Sequence, residues 1–178
     1  DAALVAQAQE GNRWAERALY QRHAHEIANL GARMLRSRED GEDVAHDTFV
    51  YVFERLNELR EPAAFQAWAR RIATRFVHRR LRRRKLRSLV GMAEAEPALP
   101  LSELADPSAS PDMMAELRII DGIIDQLPTN DRMAWMLRHV EGYALQEAAD
   151  ACGCSLATVK RRVAAAQKRI DRAVGGAR

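Results

Sequence analysis

The sequence predicts an all-α protein of two small helical domains joined by an extended linker. Three observations carry that expectation. No alternating run of Val, Ile and Thr reads as a strand. Apolar residues recur at helical spacing almost throughout. The periodicity stops in one place, "GMAEAEPALPLSELADPSASP" at 91–111, where Pro97, Pro100, Pro107 and Pro111 break any helix and large apolar residues are few.

Asn12 is placed to cap a first helix carrying Trp14, Ala18, Leu19, Ile27, Leu30 and Met34. A second begins near Asp40 and lines up Ala45, Phe49, Val52 and Leu56 on one stripe. Pro62 suits the first turn of a third helix, which buries Phe65, Trp68, Ile72 and Phe76. These elements form an N-terminal domain over 1–87, followed by an acidic, Pro-rich linker over 88–111. The C-terminal domain, 112–178, reads as helices at 112–126, 130–140, 144–151 and 156–173, with a break at "LPTN".

The chain has 178 residues, 47% hydrophobic and 30% charged, a composition suited to globular domains of this size. No apolar run approaches the roughly 20 residues that span a bilayer, and "DAALVAQAQEG" lacks a basic-then-apolar signal pattern. A cytoplasmic location without membrane insertion is the expectation. Cys152 and Cys154 stand one residue apart, too close for an ordinary disulfide framework, and supply half of a zinc site. They read as packing residues, so no metal or other cofactor is expected.

Residues 145–163, "LQEAADACGCSLATVKRRV", have helix-turn-helix spacing. Ala149 is small where two helices would cross, and Gly153 follows four residues later, where the turn needs φ > 0. Ser155 can cap the second helix, whose inward stripe is Val159, Val163 and Ala166. Outward lie Ala157, Lys160, Arg161, Ala164 and Lys168. Lys and Arg serve phosphates and guanine edges, and small residues let a backbone enter the major groove. A merely solvated basic face is the plainer alternative, but turn spacing and basic face together favour DNA.

The net charge of +3 hides strong segregation. Residues 39–61 contain eight Asp or Glu against two Arg, whereas 70–87 contain ten Arg or Lys and no acid. Asp43, Asp47 and Glu54 share a narrow angular range on their helix, away from Phe49 and Leu56. One by one they suit a solvated face; as a set they suit a basic protein partner. No His, Lys or metal set accompanies them, so catalysis is not expected. Extended at helical spacing, the stripe Phe65–Trp68–Ile72–Phe76 reaches Arg79 and Arg83, so the helix should leave its core after Phe76. A solvated charge run, a nuclear-localisation-like signal and a membrane-surface helix compete as explanations of what projects. A polyanion would relieve its self-repulsion, and a second DNA contact is the economical reading.

Three segments together resemble the bacterial extracytoplasmic-function (ECF) sigma factors of the sigma-70 family. "EDGEDVAHDTFVYVFERL" is similar to their core-polymerase-binding segment. "FQAWARRIATRFVHRRLRRRK" is similar to their promoter-melting and minus-ten-reading segment. "LPTNDRMAWMLRHVEGYALQEAADACGCSLATVKRRVAAAQKRI" is similar to their region 4. The resemblance implies a transcription initiation factor that binds core RNA polymerase, directs it to promoters and helps melt DNA. Asp43, Asp47 and Phe49, with Glu54 on the same face, would then meet the clamp helices of the largest polymerase subunit. Arg71, Arg75, Arg79, Arg80, Arg82 and Arg83 would meet the minus-ten element and the non-template strand. Thr158, Lys160, Arg161, Ala164 and Lys168 would face the minus-thirty-five major groove. The acidic linker would follow the basic RNA-exit path, and an anti-sigma factor is a further partner the family implies. The chain departs from the family pattern at Arg75 and Arg79, where Asn and Asp are usual. It departs again at His46 for Gln, Ala144 for a Ser or Thr cap, and Ala165 where Arg is frequent. Two alternatives of other classes are a sigma-like mimic that binds an anti-sigma factor without starting transcription, and a plain helix-turn-helix regulator. The enlarged basic tail disfavours the mimic, and no inducer pocket or dimer helix supports the regulator.

Overall fold

The structure, a computed structural model, describes residues 1–89, 99–100, 103 and 110–176. Most of the 88–111 linker therefore lies outside the described residues. Those residues form eight α-helices, two short 3-10 turns and no strand: α1 Ala2–Gln9, α2 Arg13–Leu35, α3 Arg38–Glu54, α4 Phe65–Leu89, α5 Pro111–Gln126, α6 Thr129–His139, α7 Leu145–Cys152 and α8 Leu156–Gly176. They divide into two compact units, Asp1–Arg80 and Leu81–Arg178, the division falling within α4.

In the first unit α2 starts where Asn12 accepts from the Trp14 and Ala15 amides at 3.0 and 3.4 Å. It ends at Arg36, whose left-handed conformation (φ 60) turns the chain within two residues. Ser37 then caps α3 by accepting from the Asp40 amide at 3.2 Å. This tight connection sets α2 and α3 antiparallel, and glycines decide how closely they approach. A Cβ on Gly31 would lie 2.9 Å from the Gly41 Cα, and one on Gly41 would lie 2.7 Å from the Ala32 amide nitrogen and collide with the Ala28 carbonyl. Around that crossing Leu19, Ile27, Leu30, Met34, Val44, Phe49 and Val52 are buried. Helix α1 is fastened to the turn after α3 by Gln9, whose amide donates to the Leu56 and Leu59 carbonyls at 3.0 Å each.

Helix α4 departs from expectation. Phe65 and Ile72 are buried, but Trp68 and Phe76 are only half-buried, and the buried line runs through Ala69, Ala73, Val77 and Leu81. The stripe drifts along i+4 steps, so the helix does not leave its core after Phe76. Of the next residues, Arg79, Arg82 and Arg83 are exposed, whereas Arg80 is not.

In the second unit α8 packs against α5, α6 and α7. Ile124, Met133, Met136, Leu137, Ala149, Val159, Ala166 and Ile170 are buried. The Trp135 indole N–H donates to Gln167 Oε1 at 2.7 Å, which holds α6 on α8.

Two alanine substitutions separate close packing from helix propensity. Gly41→Ala forces a methyl into the backbone of α2 and should destabilise the chain by about 1–3 kcal/mol. Gly122 in α5 has open space at its Cβ position, so Gly122→Ala should stabilise by up to about 1 kcal/mol. Urea unfolding of both variants checks the opposite signs.

Candidate functional site

Asp43 and Glu54 are exposed and Asp47 half-exposed on α3, which is the acidic face expected from their spacing. Phe49 is not on that face. It is buried and meets Tyr20 of α2 edge-on, ring centres 5.0 Å apart, so it supports the face from below. In the middle of the face stands Val50, which the sequence reading did not single out: it is 47% exposed, three residues after Asp47 and four before Glu54. Val50 is thus an exposed apolar residue flanked along the helix by the carboxylates of Asp47 and Glu54.

The structure joins this acidic face to the basic helix through one residue. Arg80 donates from one terminal nitrogen to Asp40 Oδ1 at 3.2 Å and Asp43 Oδ2 at 3.1 Å, and from the other to Asp47 Oδ2 at 2.9 Å. The three carboxylates sit at i, i+3 and i+7 on α3, so they stack along one line that a guanidinium fork can bridge. Arg80 and Asp40 are the enclosed members, each with 22% of the side chain exposed. Burial works against the Arg80 charge, yet the bonds it donates to Asp47 and Asp43, with their negative charges, outweigh burial and raise its pKa. Arg80 thus stays cationic at any accessible pH.

Among the other basic residues of α4, Arg71, Arg75, Arg79, Arg82 and Arg83 are exposed, whereas Arg70 is half-buried and pairs with Glu26 at 3.6 Å. Arg79 lies over the Phe76 ring at 4.7 Å, and Phe76 meets Tyr51 of α3 edge-on at 6.0 Å. Arg55 in turn lies over Tyr51 at 5.0 Å. A line of alternating arginine and aromatic groups therefore crosses from α3 to α4. Such a surface suits an unstacked nucleic acid strand, whose bases stack on rings while its phosphates meet guanidinium groups. The i, i+4 spacing of Tyr51 and Arg55 was the available sequence signal; their meeting with Phe76 was not.

The helix-turn-helix takes the expected form. Gly153 ends α7 at φ 60, and the Cys154 amide reaches back to the Ala149 carbonyl at 3.0 Å, a glycine-terminated helix end. Ala144 lacks a side-chain acceptor, but Glu147 accepts from its amide at 2.8 Å and supplies half of a cap. Ser155 caps α8 through the Thr158 amide at 3.2 Å, and its hydroxyl lies 2.9 Å from that of Thr158. Thr158 is therefore half-buried at the cap, while Lys160, Arg161, Ala164 and Lys168 are exposed along the outer face. Cys152 is buried, and burial pushes its thiol up to about 11, so it holds no reactive thiolate near neutrality. Cys154 is half-buried and accepts from Arg162 at 3.4 Å. Among the described residues no cluster of three His, Cys, Asp or Glu could hold a metal, and no helix is long and apolar enough to cross a membrane.

Arg80 and Arg79 should behave differently despite adjacency. Arg80→Ala leaves three carboxylates without this counter-charge and should cost on the order of 1–2 kcal/mol, between the values for exposed and buried pairs. Arg79→Ala loses one exposed cation–π contact and should cost about 1 kcal/mol or less. Thermal melts at low and high salt test this, since only the Arg80 deficit should shrink as salt screens the cluster.

Comparison with known proteins assigns the chain. The model of sigma-70 region 2 matches residues 19–87, and that of sigma-70 region 4 matches 117–170. The ECF RNA polymerase sigma-E factor of Escherichia coli (strain K12) is 33% identical over 98% of this chain and 94% of its own length. The ECF RNA polymerase sigma factor SigM of Mycobacterium tuberculosis is 30% identical, over 98% of this chain and 85% of its own. Among solved structures, CnrH in complex with the cytosolic domain of CnrY superposes with a TM-score of 0.62 at 25% identity, covering 99% of this chain and 97% of CnrH. The sigma factor RpoE of Bartonella quintana, in complex with the anti-sigma factor NepR, shares the fold with a TM-score of 0.67 at 19% identity over 91% of this chain and 98% of its own. Two sigma-region matches in the expected order, and relatives aligned over nearly the whole length, place the chain in the sigma-70 family as an ECF RNA polymerase sigma factor.

Proposed function

We propose that this sigma factor divides its work among three surfaces. The α3 face of Asp43, Asp47 and Glu54, centred on Val50 and backed by Phe49, docks on a basic surface of core RNA polymerase. The outer side of α4, with Arg71, Arg75, Arg79, Arg82 and Arg83, meets the minus-ten DNA and the separated strand. The outer face of α8, with Lys160, Arg161, Ala164 and Lys168, enters the minus-thirty-five major groove, and Thr158 fixes the start of that helix. The observation that carries this reading is segregation: acids on one helix face, exposed arginines on another helix, and a basic, small-residue face on the helix after the turn. The chain works by binding rather than by chemistry of its own and acts in the cytoplasm, where polymerase and promoters are. CnrH and RpoE were solved with the partners CnrY and NepR, which supports an anti-sigma partner for this chain too.

Run-off transcription with purified core polymerase tests the reading as a whole. Added to core enzyme and fragmented genomic DNA, the protein should yield discrete transcripts. Failure at every promoter would favour a sigma-like mimic. The surfaces separate in the same assay: Asp43→Lys with Asp47→Lys should weaken capture of core polymerase at least tenfold, because close like charges cost several kcal/mol at an interface. Arg82→Ala with Arg83→Ala should leave that capture unchanged and reduce permanganate reactivity of the melted promoter.

A further inference from the structure

Asp43 and Asp47 are engaged on one side and open on the other. Inward they accept from Arg80 at 3.1 and 2.9 Å, yet their side chains keep 62% and 40% of their exposure, against 22% for Asp40. Arg80 is itself partly exposed, and the exposed Arg83 is its neighbour one turn on along α4, so a change of rotamer can carry its guanidinium from the carboxylates toward the basic side of the helix. A second cation arriving on the open side of Asp43 and Asp47 lowers the negative potential that holds Arg80. Arg80 thus stands between the two readings given above: a docking cation competes with Arg80 for these acids, and DNA lying along α4 competes with the acids for Arg80.

We propose that Arg80 is an exchange latch. In the free protein Asp43 and Asp47 hold its guanidinium and withhold it from DNA. When a basic protein surface docks on those carboxylates, Arg80 swings out, with Asp40 as the remaining pivot, and adds a phosphate contact. Arg80 is then a positioning residue in the free protein and a DNA contact in the complex. By linkage the effect is reciprocal: DNA that engages Arg80 strengthens docking on the acids by the same factor. The inference rests on the assignment of the two surfaces, but its test needs neither polymerase nor a promoter.

The test uses the full chain alone and a fluorescein-labelled single-stranded oligonucleotide, with anisotropy read across a salt series. Asp43→Asn with Asp47→Asn opens the latch at nearly constant shape. Its log–log salt slope should steepen by about 0.7, one single-strand phosphate contact, which is about a fivefold larger loss of affinity per tenfold rise in salt. Arg80→Gln alone should keep the wild-type slope, because Arg80 is occupied in the free protein. Adding Arg80→Gln to the double Asn variant should abolish the gain. A gain that persists in the triple variant would be a bulk charge effect and overturns the latch. Equal slopes throughout, or no binding by any variant, overturns it as well. If a melt shows the double variant unfolded, Asp47→Asn alone weakens the shortest bond by removing its charge and should steepen the slope in the same direction. None of these outcomes bears on run-off transcription, so the latch and the sigma assignment fail separately.

Discussion

Arg80 bridges three carboxylates that belong to a helix 33 to 40 residues earlier in the chain, and the charge that two surfaces can offer depends on that bridge. On one side it engages α3, whose outer side carries Asp43, Asp47 and Glu54. On the other it belongs to α4, whose outer side carries the exposed arginines. A guanidinium suits this position better than an ammonium, because a planar fork can serve acceptors at three successive levels of a helix while keeping its charge. Opposite charges concentrated on neighbouring helices would otherwise be a folding hazard. Here part of the excess on each side is cancelled where the two helices meet.

The bridge is possible only because α3 is already in place. Its position comes from the backbone contact at Gly31 and Gly41, where any side chain would drive α2 and α3 apart. Tyr20 and Phe49 extend the contact toward the surface, and Gln9 ties α1 to the carbonyls beyond α3. Each of these is apolar packing or a satisfied backbone group. The acidic face can therefore give its charges to a partner without being needed to hold the fold.

Much of this was legible in the sequence. Asn12, Ser155 and Gly153 act at the helix ends their chemistry implied, and most helix limits fell within a few residues of expectation. The reading was less successful wherever a residue's partner lies far along the chain. The α4 stripe was extrapolated from Phe76 to Arg79 and Arg83, whereas the buried line follows Ala73, Val77 and Leu81. Small residues conceal such a line because alanine carries little hydrophobic weight. The helical spacing set Phe49 on the apolar stripe, where it is buried; only the family resemblance grouped it with the acids beside it in sequence. Arg80 gave no local sign of its carboxylates, nor Tyr51 of Phe76; only folding brings α3 beside α4. In the helix-turn-helix the residues that make the turn, Ala149, Gly153 and Ser155, lie close together in sequence, and there the reading held down to the turn glycine.

If Arg80 and a docking partner compete for Asp43 and Asp47, removing the Arg80 charge must favour the partner. Titrating core RNA polymerase into fluorescently labelled chain, wild type against Arg80→Gln, with a melt to confirm that both are folded, measures this directly. Several-fold tighter binding is expected for Arg80→Gln, with no such gain for Arg79→Gln on the same helix. Equal or weaker binding by Arg80→Gln would contradict it and leave Arg80 as a fixed brace between α3 and α4.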